Sequence, residues 1–318
     1  MSAATLSAPV RRSLPRPRGL LWTVLRLHRT ALWIWLAFVA ATAGLLLWLL
    51  GPGADATQHK LDTFGYAGVL DDAYSAKTLL AFTSGTYNDL FYDPATMINI
   101  ASFAIALFAG GPLIARELES GTARLAWTQS VSPARWLAAK LVVPASFIVL
   151  GMTLLVVLYR QLWSAHSNLL IAGIGPRSIY FAIGPSTVAA PLLGLAIGAL
   201  AAVALRRTLP ALAVAGFGYF LVYAFLGNHW PFQGRHQQPE VSSRSHAITS
   251  SGARIADPGC YDSQACLAKH DIVRFTREYL PSPDYWPRQL LETGVLLALT
   301  ALLVTAAFAV LRRRGTTT

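Results

Sequence analysis

LVVPASFIVLGMTLLVVLY, Leu141 to Tyr159, runs nineteen residues without an Asp, Glu, Lys or Arg. A helix of about twenty such residues crosses the roughly 30 Å hydrocarbon core of a bilayer. Five further charge-free stretches flank it: Ala31 to Leu50, Pro94 to Ala115, Ile179 to Leu205, Leu209 to Gly227 and Thr293 to Leu311. An ionic group at the bilayer centre costs about 2.5 to 3.5 kcal/mol, so its absence from all six marks them as transmembrane. The fold class is an all-α polytopic membrane protein with six transmembrane helices. In 318 residues, 54% hydrophobic and 13% charged, these spans and two long loops leave no room for a soluble enzyme domain.

The net charge of +11 would indicate nucleic acid in a soluble protein, but here it sorts by loop, and no nucleic-acid partner is expected. Six Arg precede the first span; Arg116, Arg124, Arg135 and Lys140 follow the second, Arg206 and Arg207 the fourth, and Arg312, Arg313 and Arg314 the sixth. By the positive-inside rule that side is the cytoplasm, with both termini in it. The loops at 52–93 and 228–289 are then extracytoplasmic, 116–140 is a cytoplasmic loop, and 312–318 a cytoplasmic tail. Arg outnumbers Lys 22 to 4, the codon signature of a gene rich in G and C, which points to a bacterial plasma membrane.

Residues 1–19, rich in Pro, Arg and Ser, read as disordered, and residues 20–311 as the six-span domain. The first apolar run is too long for a signal-peptide core and lacks a small-residue cleavage site, so it reads as a retained anchor. Ahead of it, Gly19 to Thr30 reads either as a helix lying in the lipid interface or as an extension of the first span. Trp48, Tyr159, Trp163, Trp230, Tyr285 and Trp286 are expected at the outer interface, where rings with one wet edge settle. Gly194 and Gly198 form a GxxxG spacing that admits close helix packing, with chance in an Ala-rich helix as the competing explanation. Pro112, Pro144, Pro185 and Pro191 are candidate bends.

In the second outer loop Ile272, Phe275, Tyr279 and Leu280 fall at helical spacing after Asp271 and before Pro281, which predicts a short amphipathic helix. Cys260 and Cys266, the chain's two cysteines, share this loop and are expected to form a disulfide in an oxidising compartment. His229, His236, His246 and His270 also lie there, but at spacings that fit no metal motif.

No HExxH, GxSxG or pair of intramembrane carboxylates is present, and Glu292 is read as lying outside the sixth span, at its outer mouth. Spans without ionisable groups do not match an ion-coupled transporter. No GxxxxGK[ST] loop is present either, so the chain is not itself a P-loop ATPase.

The segment RELESGTARLAWTQSVSPARWLAAK, Arg116 to Lys140, carries most of the remaining information. The second span is expected to continue as a helix through Glu117 and Glu119 and to end at a left-handed Gly121. Thr122 would cap a short helix carrying Arg124, Leu125 and Trp127, and Ser132 and Pro133 would start the third span. Acid, base, Trp and Leu on one short helix suit docking to a protein; a plain amphipathic turn resting on lipid is the alternative.

Glu117, Gly121 and Thr122, followed by RLAWTQSVSPARWLAAK, closely resemble the cytoplasmic segment of bacterial ABC-2 type transporter permeases. The stretch from Tyr279 through Pro281, Tyr285 and Trp286 to Gln289, Glu292 and Thr293 is similar to the entry into their last span. The resemblance implies a permease that pairs with a second copy, here a homodimer, and with separate ATP-binding subunits that hold the ATP and Mg. No cofactor is then expected in this chain. It further implies that the loop between spans two and three is a coupling helix, with Glu117, Glu119, Gly121, Thr122, Arg124 and Trp127 as candidate ATPase contacts. The neutral polar groups Asn99, Ser102, Ser146, Thr153, Ser186 and Thr187 predict a hydrophobic or amphipathic cargo, since charged solutes find little compensation there for lost water. A polytopic membrane enzyme and a non-transporting sensor or assembly component are the rival readings.

Overall fold

A computed structural model describes residues 20–63, 73–75, 86–129, 131–166, 169, 177–229, 246–256, 258–259, 263–276 and 282–315. The expected disorder of residues 1–19 and the placements of Trp230, Tyr279 and Leu280 lie outside them. A short helix α1 (Leu20–Leu27) leads through His28 into α2 (Arg29–Leu50), and α3 (Pro52–Thr63) follows. The second span is α4 (Thr86–Ile105), a π turn (Ala106–Gly110) and α5 (Gly111–Glu119) in succession. Then come α6 (Thr122–Thr128), α7 (Pro133–His166), α8 (Arg177–Ala182), α9 (Ser186–Leu205), α10 (Thr208–His229), α11 (Gln264–Lys269) and α12 (Ser282–Gly315). Among the described residues six helical segments are long and apolar enough to cross a membrane.

α9 is the centre of the bundle. Its many Ala and Gly residues let neighbouring helices approach closely on several sides. It packs against α4, the π turn, α5, α7, α10 and α12, and most of it is buried. Large apolar side chains on the outer helices face outward, among them Trp33, Leu150, Phe217 and Leu302, an arrangement that lipid rewards and water does not. α1 is a separate helix laid on α7, with Val24 buried against Ala139 and Val143.

Four sequence expectations are corrected. The fourth span does not run from Ile179: α8 ends at Ala182 and α9 starts at Ser186, because Gly184 and Pro185 interrupt the charge-free run. The sixth helix begins at Ser282 rather than Thr293, ahead of the charge-free run, and Glu292 is buried where it packs in the bundle. Tyr159 and Tyr285 are buried in the bundle, and the Tyr159 hydroxyl donates to the Phe91 carbonyl at 2.9 Å. The predicted outer helix at Asp271 is a strand.

That strand, β4 (Ile272–Thr276), joins β1 (Ala73–Ser75), β2 (His246–Thr249) and β3 (Arg254–Ala256) in an antiparallel sheet of order β1-β4-β2-β3. Ile, Val, Phe and Thr fit a pleated surface, and Asp271, at φ 53, turns the chain rather than starting a helix. β1 comes from the first long loop and the other strands from the last, so the sheet joins the two at one end of the bundle, the sheet end. α6 and the Arg-rich turns are at the other, the basic end.

Candidate functional site

At the basic end, the geometry is set by one left-handed residue. Gly121 has φ 76 and ends the helix that carries Glu117, a conformation that costs other L-residues about 1 to 2 kcal/mol. The chain turns, and α6 starts at Thr122. Thr122 is therefore the first helical residue and not the cap; its hydroxyl donates back to the Glu117 carbonyl at 3.3 Å, an acceptor left over at the end of α5. Ser132 accepts from the Arg135 N–H at 3.4 Å and opens α7, with Pro133 as its first residue.

Of the two acids of this segment, Glu117 faces inward and Glu119 stays exposed. Trp136 and Lys140 are four residues apart, hence on one face of α7, and both reach Glu117. The Lys140 ammonium donates to Glu117 Oε1 at 2.5 Å and the Trp136 indole to Oε2 at 3.0 Å. Lys140 is 4% exposed, and its Nζ also lies 3.0 Å from His28 Nε2. Burial, then the Lys140 charge, lowers the His28 pKa to about 4 against the smaller opposite pull of Glu117. A neutral imidazole can accept from the ammonium. The junction of α1 and α2 is thus fastened to α5 and α7 through one ionic cluster.

Glu119 turns the other way. Its Oε2 accepts from the Thr208 N–H at 2.9 Å and the Thr208 hydroxyl at 2.5 Å. It satisfies the free N–H at the start of α10, where the helix dipole favours an anion. On α6, Ala123 is buried and the Trp127 ring meets Trp136 edge-on at 5.7 Å, while Arg124, Thr128 and Leu125, the last 62% exposed, face outward. The six predicted contact residues therefore separate. Glu117, Glu119 and Trp127 hold the segment in place, Gly121 shapes it, and Arg124 and Thr122 are on its surface.

Gly194 and Gly198 are remote from this site, on the face of α9 against the π turn. A Cβ on Gly198 would come 2.5 Å from Gly110 Cα, and one on Gly194 2.6 Å from Ala106 Cβ. The disulfide residues are in the loop between α10 and α12: Cys266, on α11, is disulfide-bonded, and Cys260, the only other cysteine in the sequence, lies outside the described residues.

Residues 36–229 match the family described as ABC-2 membrane transporter related. The chain belongs to that family. No curated protein and no solved structure matches it. As an ABC-2 membrane transporter related protein with six apolar helices, it is a multi-pass membrane protein and a permease-like membrane component of an ABC system, of a kind that generally works with an ATP-binding subunit.

Sequence reasoning missed a second polar layer in this ABC-2 related chain. The break between α8 and α9 frees backbone groups that lipid cannot satisfy, and Gln289 of α12 takes them. Its Nε2 donates to the Tyr180 carbonyl at 2.7 Å and its Oε1 accepts from the Ser186 N–H at 3.4 Å. Gly184 makes room, since a Cβ there would fall 2.3 Å from Gln289 Cδ. Beside this layer the Arg160 guanidinium sits 4.4 Å from the Trp286 ring centroid. The readable signal was Gly184-Pro185, a helix break that needs a polar partner.

Proposed function

We propose that the protein is the permease subunit of an ATP-driven exporter in the bacterial cell membrane. Its partner is a separate ATP-binding subunit that holds ATP and Mg, and a second copy of the chain completes the transport path. Both termini and the basic end face the cytoplasm.

The observation that supports this reading most directly is the division of charge around α6. Glu117 is ion-paired within the chain and the exposed Glu119 is engaged by Thr208, so the exposed face of α6 itself, Thr122, Arg124, Leu125 and Thr128, carries a positive charge and an apolar side chain and no acid. A docking face on the ATPase would then be acidic, with an apolar socket for Leu125. Because α6 is clamped to α5, α7 and, through Glu119, α10, closing of the ATPase pair on ATP would move three spans together and shift access from inward to outward; hydrolysis would reset them. The buried polar groups Ser102, Ser186 and Thr187 are neutral, which favours a hydrophobic or amphipathic cargo over a multiply charged one.

Copurification in mild detergent tests the reading. Arg124→Glu and Leu125→Asp should each reduce recovery of the ATP-binding subunit by roughly tenfold, equivalent to about 1.4 kcal/mol at an interface, with permease stability unchanged. Full recovery with both, and undiminished transport, would remove α6 from the interface.

A further inference from the structure

α1 has two unlike sides. On one, Val24 is buried against Ala139 and Val143 of α7, and His28, one turn on, has its Nε2 3.0 Å from the Lys140 ammonium. On the other, Trp22 and Arg26 are one turn apart and exposed, with the guanidinium 5.0 Å from the ring centroid. Leu27, 58% exposed, and Arg29 follow them at the surface. Arg135 is exposed one turn along α7 from Ala139 and adds a third guanidinium to this corner. The first acid of the sequence is Asp55, and α7 contains none. Glu117, the acid that reaches this corner, is taken by Lys140 and Trp136.

The place of α1 in the fold narrows what could cover its exposed side. α2 belongs to a segment long and apolar enough to cross a membrane, and α1 joins it through His28 alone, so that side lies at the end of a span. A Trp ring and a Leu beside Arg side chains fit the boundary where acyl chains meet headgroups. A guanidinium holds a phosphate through two parallel hydrogen bonds, and a basic cluster at a membrane surface favours a net negative lipid over a zwitterionic one. A soluble anion would answer the charges but leave Trp22 and Leu27 in water. A lipid covers both.

We propose that the exposed side of α1 is a binding site for an acidic phospholipid, with Arg26 and Arg29 on its phosphate and Trp22 and Leu27 against its acyl chains. The site does not depend on the exporter reading. The test is photolabelling of full-length permease in phosphatidylcholine nanodiscs that hold a trace of one diazirine-headgroup lipid, either acidic phosphatidylglycerol or zwitterionic phosphatidylcholine. Adducts on residues 20–29 are counted by peptide mass spectrometry. Wild type should give at least about tenfold more α1 adduct with the acidic lipid. Unlabelled phosphatidylglycerol should remove that excess, and water-soluble glycerol phosphate should not. Arg26→Gln with Arg29→Gln should abolish the excess, whereas Arg26→Lys with Arg29→Lys should keep most of it. Should the Gln pair not fold, Arg26→Gln alone carries the test and should lower the excess about fivefold. Equal labelling by both lipids in wild type, an undiminished excess in the Gln variants, or displacement by glycerol phosphate would overturn the proposal. Absence of α1 adducts with either lipid would overturn it as well, and would show this side covered by protein.

Discussion

Glu117 and Lys140 meet at 2.5 Å across the turn that carries α6, and this pair joins the end of the second span to the start of the third. Removing one member leaves the other charge buried, at a cost of about 3 to 5 kcal/mol. Glu117→Gln should therefore destabilise the purified permease strongly in thermal unfolding. Adding Lys140→Met should recover much of the loss, because both charges are then gone. Equal damage from the single and double variants would show that the pair does not act as a unit.

The cluster also carries a pH dependence through His28, whose pKa falls from 6.5 to about 4 on folding. Below about 6.5 the unfolded chain binds a proton that the folded chain resists, so stability from the neutral imidazole is fully present above that value and is lost as pH falls toward 4. Melting temperatures taken from pH 7.5 down to pH 4.5 should drop for wild type and drop less for His28→Gln. Parallel curves for the two proteins would exclude this role.

Gly198 and Gly44 make a matched pair of helix glycines. At Gly198 a Cβ meets Gly110 Cα at 2.5 Å, whereas at Gly44 nothing lies within 4 Å. Gly198→Val should cost about 1 to 3 kcal/mol by overpacking. Gly44→Ala should be neutral or stabilising by up to about 1 kcal/mol through helix propensity. Detergent half-life at fixed temperature ranks the two, and a tolerated valine at Gly198 would mean that α9 and the π turn separate freely.

Gln289 bonds both ends of the break between α8 and α9. Gln289→Leu leaves the Tyr180 carbonyl and the Ser186 N–H to find other partners, a loss of about 1 to 3 kcal/mol for each buried group left unsatisfied. Hydrogen exchange should rise at Ser186 and its neighbours on α9 while remaining unchanged in α6. Unaltered protection at Ser186 would show that water or backbone replaces the amide.

Cys266 is disulfide-bonded. A membrane-impermeant maleimide on intact cells should label the permease only after mild reduction. Labelling that needs cell lysis would reverse the proposed orientation, and labelling without reductant would show the bond absent in cells.

Most of the bundle was legible because the bilayer imposes a charge rule on single segments, and a single segment can be read alone. The same rule misplaced the start of the sixth helix. Glu292 reads as a charge at the outer mouth, and α12, which starts well before the charge-free run, buries it against partner helices. It also hid the break at Gly184-Pro185, since a charge-free run looks continuous whether or not the helix is. At the candidate site Gly121 was readable from local backbone sterics. The attachment of Glu117 to Lys140 and of Glu119 to Thr208 was not, because those contacts exist only after three helices assemble. β4 failed for a related reason: Ile272 and Phe275 fit a helical stripe or a strand equally well, and pairing with the distant Ala73–Ser75 segment decides between them.

That pairing has a mechanical consequence. β1 hangs between α3 and α4, and β2 to β4 hang between α10 and α12, so the sheet is a crossbar bolted to both sides of the bundle at one end. The ladder between Tyr74 and Phe275 thereby joins two loops that are far apart in sequence. At the opposite end the described residues are tied by side chains instead, the ionic cluster under α6 and the Glu119–Thr208 bonds. The bundle is therefore fastened by backbone at the sheet end and by side chains at the basic end.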